Sequence, residues 1–212
     1  MLKASAQDGR GRDRSAAVRE QIVGAAVATL SKEGFARTSA RAIARTGGFN
    51  QALIFYHFGS VKDLLLAALD ATSEQRFARY HSAVGQARSL EEMIGVARHI
   101  YVEDLASGHI RVLSEMVAGG LSDPDLAAEV AVRLEPWIDF ARTALARVLS
   151  GTPLEALMPG RDLAFAVVAF YLGADLLTEL EGDRSRVERL FASASRLAPL
   201  MVPLLEKEAG KT

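Results

Sequence analysis

Ser39-Ala-Arg-Ala-Ile-Ala-Arg-Thr-Gly-Gly-Phe-Asn-Gln-Ala-Leu-Ile-Phe-Tyr-His-Phe58 reads as two short helices joined by a tight turn. Two helices crossing steeply need a small residue where they touch, and Ala44 supplies it. The turn needs a residue that tolerates positive φ, and Gly48 stands four positions later. Phe49 is placed to lock the turn onto a core, and Ile54 to pack the second helix on the first. Small, glycine, apolar and apolar at these offsets are the geometric needs of a helix-turn-helix. Ser39 is a good N-cap for the first helix, with Ile43 and Ala44 inward, and Asn50 for the second, which runs to about Phe58 with Leu53 inward.

Upstream, Val18, Ile22, Ala26 and Leu30 recur four apart across Ser15–Glu33, an amphipathic helix closed by Gly34. Phe35 is expected to turn back into the core. Downstream, Ser60 caps a long helix to about Val84, and every later segment reads as helix. Further helices are expected over Ser89–Ala106, Gly108–Gly119, Asp123 to near Gly151, Arg161–Glu181 and Ser185–Glu206. Pro136 is expected to kink or split the one that contains it. The expected fold is all-α. It has a flexible basic arm over 1–14, a three-helix domain with the helix-turn-helix over 15–62, and a larger helical body over 63–212.

Charge is unevenly spread. Residues 1–62 hold ten Lys and Arg against four Asp and Glu, so that segment carries +6 and the remainder −7 within a net charge of −1. A basic end on an acidic body points to a polyanion as partner of that end. Cysteine is absent, which excludes disulfides and thiolate metal sites. His57, His81, His99 and His109 show no metal-ligand spacing, and neither a phosphate loop nor a nucleophile elbow is present. No cofactor, no metal and no enzymatic activity are therefore expected. The longest apolar run, Leu163–Leu177, carries Asp175 and is shorter than the ~20 residues a membrane span needs. It reads as a buried helix, and no signal peptide is legible, so a cytoplasmic location without membrane partner is expected.

On a helix-turn-helix, the first residues of the second helix face base edges in the major groove. Asn50 and Gln51 suit bidentate pairing with adenine; Asn50 is also the cap, which leaves Gln51 the better reader, with Ala52 beside it. Tyr56 and His57 would flank the groove and hold phosphates, as would Thr38, Ser39 and Arg41 at the N-terminus of the preceding helix. Arg10, Arg12 and Arg14 form either a minor-groove arm or a solvated tail. Phe55 and Phe58 read more naturally as core than as contacts.

Arg19 to Leu66 resembles the tetracycline-repressor (TetR) family of bacterial regulators. The resemblance rests on Glu33-Gly34-Phe35, Thr38-Ser39, Ile43-Ala44 and Gly48-Phe49, and above all on Ile54-Phe55-Tyr56-His57-Phe58-Gly59-Ser60 followed by Lys62-Asp63-Leu64-Leu65. It covers about a quarter of the chain. It implies a ligand-binding and dimerisation domain over 63–212, a homodimer on a palindromic duplex, a repressor released by a small, largely apolar effector, and a phosphate contact for Lys62. Three departures stand out: Phe55 where the family usually has a DNA-touching tyrosine, Val61 displacing the lysine to 62, and Asn50-Gln51-Ala52 opening the recognition helix. The third suggests a target sequence of its own.

For the dimer, the apolar helix with Phe165, Val168, Leu172, Gly173 and Leu176 would pair with the stripe Val187, Leu190, Phe191, Ala194 and Leu197. The alternative is that both helices are core. An effector pocket, which the resemblance implies, would draw on Met93, Tyr101, Met116, Trp137, Phe140, Phe170 and Tyr171. His99 and Glu103 are either its polar anchor or a surface pair. Asp175 either binds the effector or pairs across the dimer. A DNA-binding architectural protein without effector is the other reading of the same chain.

Overall fold

The computed structural model describes residues 2–107, 109–150, 152 and 158–206, and among them there is no strand. The helices are α1 (Leu2–Glu33), α2 (Ala40–Gly47), α3 (Ala52–Phe58), α4 (Val61–Gln86), α5 (Leu90–Ser107), α6 (His109–Gly120), α7 (Pro124–Leu149), α8 (Gly160–Glu181) and α9 (Ser185–Glu206). A single 3-10 turn, Phe35–Arg37, links α1 to α2. The chain divides into two compact units, one of residues 1–74 with 111–130, the other of 75–110 with 131–212. This division falls within α4, after residue 74. A second segment, α6 from Arg111 with the start of α7, also folds with the N-terminal unit.

In the first unit Ile22, Leu30, Ile43, Ile54, Leu64 and Met116 are fully buried. α1 packs on α2. α1 starts at Leu2 rather than Ser15, and runs through Gly9 and Gly11. Gly34 ends α1 at φ 80°, ψ 168°, an extended mirror-image conformation rather than αL, which only glycine adopts freely. Phe35 does turn inward. Its backbone N–H donates to Glu115 Oε2 at 2.7 Å, and its ring occupies the space beside Gly119, where a Cβ would come within 2.6 Å.

In the second unit α5 packs on α9. One cluster joins Val84, Ala87, Met93 and Ala144, and another joins Tyr101, Ala174, Val187 and Phe191. α7 runs unsplit through Pro136. A proline removes one donor from the ladder and lets the helix continue on either side. The expected end of α7 near Gly151 lies next to undescribed residues; the helix itself closes at Leu149. Asp183 supplies the side-chain acceptor at the start of α9. The Asp183 carboxylate accepts from the Ser185 N–H (2.9 Å) and hydroxyl (2.6 Å), and these bonds hold it below the usual carboxylate range.

Candidate nucleic-acid interface and sensor core

The helix-turn-helix is built by local chemistry. Ser39 Oγ accepts from the Ala42 N–H at 3.2 Å and starts α2. Gly48 closes it in the left-handed region, φ 69° and ψ 32°, with its N–H on the Ala44 carbonyl. The Phe49 ring lies where a Cβ on Gly47 would overlap it, close to Ala25 of α1, so a glycine at 47 is what lets this ring close the turn. Asn50 Oδ1 accepts from the Ala52 N–H at 2.9 Å. It caps as expected, but two residues on, so α3 begins at Ala52 rather than at 50.

Ile54 and Phe58 of α3 face the core, and Leu53 is half-buried. The opposite side is open: Asn50, Gln51 and Ala52 are exposed, Phe55 is 50 % exposed and Tyr56 is 82 % exposed. Phe55 is therefore not a core residue, because it falls one helical turn after Gln51 on the outer face. Phe58 is core. Half-buried His57 meets the Tyr56 ring edge-on, with centroids 4.9 Å apart. Ser39 and Arg41 are exposed, while the Thr38 hydroxyl is turned back onto the Gly34 carbonyl at 2.7 Å. Lys62 Nζ lies 4.0 Å from Asp123 Oδ1, a partly exposed pair that binding to a phosphate must exchange. Ser60 caps α4, accepting from the Asp63 N–H (3.0 Å) and donating to its carboxylate (2.6 Å).

Residues 22–68 match the sequence pattern of the bacterial regulatory proteins of the tetR family. Residues 22–68 thus carry the DNA-binding domain of the TetR family. It is 23% identical over 169 residues to the HTH-type transcriptional regulator TtgR of Pseudomonas putida, covering 78% of this chain and 80% of that one. The TetR-family transcriptional regulator of Cytophaga hutchinsonii has the same fold, with a TM-score of 0.73, 17% identity, and coverage of 88% and 95%. So does a multidrug binding protein, EbrR, solved with imidazole, with a TM-score of 0.58, 24% identity, and coverage of 83% and 93%. A chain that carries this domain is accordingly a DNA-binding transcriptional regulator and not an enzyme.

The second unit holds a feature that no local pattern announces. Arg76 donates from Nε to Asp104 Oδ1 (3.2 Å) and from Nη2 to Oδ2 (2.5 Å). Tyr80 donates to the same carboxylate at 2.8 Å, and so does Tyr171. Asp104 is fully buried and Arg76 almost so. Trp137 lies 4.2 Å beneath the guanidinium and stacks on Phe77 at 4.0 Å. Burial, together with the neighbouring carboxylate, pushes both tyrosine hydroxyls well above their usual range, although the Arg76 charge opposes this. Both hydroxyls therefore stay protonated as donors, and the carboxylate has four donors around it.

The expected effector residues scatter. Met93 is buried in the Val84 cluster, with Phe140 packed against it, while Tyr101 and Tyr171 border the other cluster. The Tyr101 hydroxyl sits 2.6 Å from Thr178 Oγ1. Met116 leaves the set altogether, since α6 folds with the first unit. His99 and Glu103 are a surface pair 3.4 Å apart, not an anchor. Phe170 is exposed on α8. Asp175 is buried. An open groove of about 620 Å³ is lined by Phe77 and His81 of α4 and by Val132, Glu135, Pro136, Asp139, Phe140 and Thr143 of α7. Of the residues expected at a pocket, only Phe140 lines it.

α8 is 22 residues long, and only 17% of its most apolar 18-residue window is buried. The expected buried helix is thus an exposed one, apolar enough by length and composition to cross a membrane. Phe165, Leu176, Leu190 and Leu197 are exposed. Val187 and Phe191, expected at the same contact, are core of the protomer instead, because α9 turns that side of its stripe onto Tyr101 and Ala174.

Proposed function

We propose that this regulator is a homodimeric, cytoplasmic repressor that reads a two-fold symmetric operator and releases it when a small, largely apolar effector binds the second unit. The observation that carries the DNA reading is the open outer side of α3, where Gln51, Ala52, Phe55 and Tyr56 share one exposed face. Gln51 reads a base edge; Asn50 caps and stands beside it. Ser39, Arg41, Tyr56, His57 and Lys62 hold phosphates, and Thr38 buttresses the turn. One helix-turn-helix covers half a site, and the exposed apolar side of α8 supports a second copy as the partner that supplies the other half.

Gln51→Ala is expected to relax base preference at one position per half-site, at about 1–3 kcal/mol, whereas His57→Ala weakens binding to all sequences alike. A base-by-base scan of a duplex selected by the wild-type protein measures both. Identical profiles for the two variants would show that the roles are not divided in this way.

An effector is supported by the aromatic groove and by α4, one helix whose residues 61–74 belong to the first unit and 75–86 to the second. Displacing α4 would alter the spacing of two recognition helices, which must match about 34–36 Å of DNA. By linkage, operator must weaken effector binding by the factor with which effector weakens operator binding, about 5–150-fold. Calorimetry on a compound found by thermal-shift screening, with and without the selected duplex, reads that factor. Equal affinities would favour the other reading, a DNA-binding protein without effector control.

A further inference from the structure

α3 has seven residues, too few to hold a helical conformation by itself. Its last carbonyls also lack partners within the helix. The Phe55 carbonyl is taken by the Gly59 N–H at 3.0 Å. Gly59 then turns the chain away at φ 80°. The His57 carbonyl receives its donor from α1: Arg19 Nη1 reaches it at 2.7 Å. The same guanidinium lies over the Phe58 ring, 4.1 Å from its centroid. A cation at a helix C-terminus also opposes the negative end of the backbone dipole. Two residues along α1, Gln21 Nε2 donates to the Gly47 carbonyl at the end of α2, at 3.1 Å.

We propose that Arg19 is the positioning residue of the recognition helix. It touches no base; it fixes the tilt and rotation of α3 through the His57 carbonyl and the Phe58 ring, while Asn50 fixes the other end. Those two anchors set where Gln51 and Tyr56 point. Base readout needs that direction held to within about 0.5 Å, whereas attraction to phosphates tolerates a looser pose. Loss of Arg19 therefore lowers discrimination between sequences more than it lowers affinity for DNA in general.

The test uses the full-length protein, a duplex selected by the wild type from a random library, and a random duplex of equal length. Arg19→Ala is expected to weaken binding to the selected duplex about tenfold, the scale of one charge-assisted hydrogen bond, with little change on the random duplex. The salt dependence keeps its slope, and amides of α3 exchange faster while those of α1 and α2 do not. Arg19→Lys keeps the charge and one donor within reach of the carbonyl, so it restores most of the discrimination and of the α3 protection. Equal losses on both duplexes, with a salt slope shallower by about one per lost phosphate contact, would make Arg19 a phosphate ligand and overturn the proposal. Unchanged discrimination in Arg19→Ala overturns it as well. If alanine unfolds the domain, the lysine variant decides: folded but as indiscriminate as random binding refutes positioning by charge and donor.

Discussion

Asp104→Ala is expected to destabilise the second unit by about 3–5 kcal/mol, the cost of leaving a buried charge without its partner. Arg76 would keep its position over Trp137 with Nε unmatched and Nη2 left with only the Tyr171 hydroxyl, and the Tyr80 and Tyr171 hydroxyls would lose their acceptor. Four donors from α4 and α8 converge on this one carboxylate of α5. Urea unfolding followed in a tryptophan channel measures the loss directly, since Trp137 sits on the guanidinium. A shift of the midpoint worth less than about 1 kcal/mol would show that solvent reaches the site and compensates. The double change Arg76→Met with Asp104→Leu separates charge from packing. Replacing the whole pair by apolar groups should recover much of the loss, because the desolvation cost disappears along with the attraction.

Gly173→Trp is expected to abolish the dimer and with it operator affinity, by about 10²–10⁴-fold, the gain that joining two half-site readers normally supplies. Gly173 sits on the side of α8 that carries Phe165, Leu176 and Leu180, which are 61%, 53% and 74% exposed. A Cβ on Gly173 meets nothing within 4 Å, so an indole there leaves the protomer's own packing intact and fills the space a partner helix needs. Side chains of this size contribute about 1.5–3 kcal/mol each when fully buried, so a handful of them suffices to hold two copies together. Sedimentation and anisotropy on the same preparations give stoichiometry and affinity. A dimeric Gly173→Trp protein that still binds the selected duplex would place the subunit contact elsewhere. Flotation of the wild type with lipid vesicles would instead make α8 a membrane-facing helix.

How much of this was legible in the sequence follows the distance over which each feature is decided. The helix-turn-helix was readable because its caps, its Gly48 turn and its Ala44 and Ile54 contacts all lie within twenty residues. Side-chain capping and left-handed glycine are local physics, and they act the same way whatever surrounds them. The charge surplus of the first 62 residues was equally plain, since it needs no fold to be counted. Phe55 was misread because an aromatic residue says only that burial is favourable, not which side of a seven-residue helix it occupies.

Only the tertiary structure decided which faces meet. Arg76 and Asp104 are 28 residues apart and Tyr171 lies another 67 beyond, each on a different helix, so no spacing rule links them. Met116 looked like a lining residue of the second unit until α6 folded with the first, where Glu115 holds the backbone of Phe35. The α9 stripe told that a face would be buried, and α5 claimed part of it through Tyr101, leaving Leu190 and Leu197 outside. An amphipathic period specifies that apolar surface must leave water; the partner that removes it is set by long-range packing, which the period does not encode.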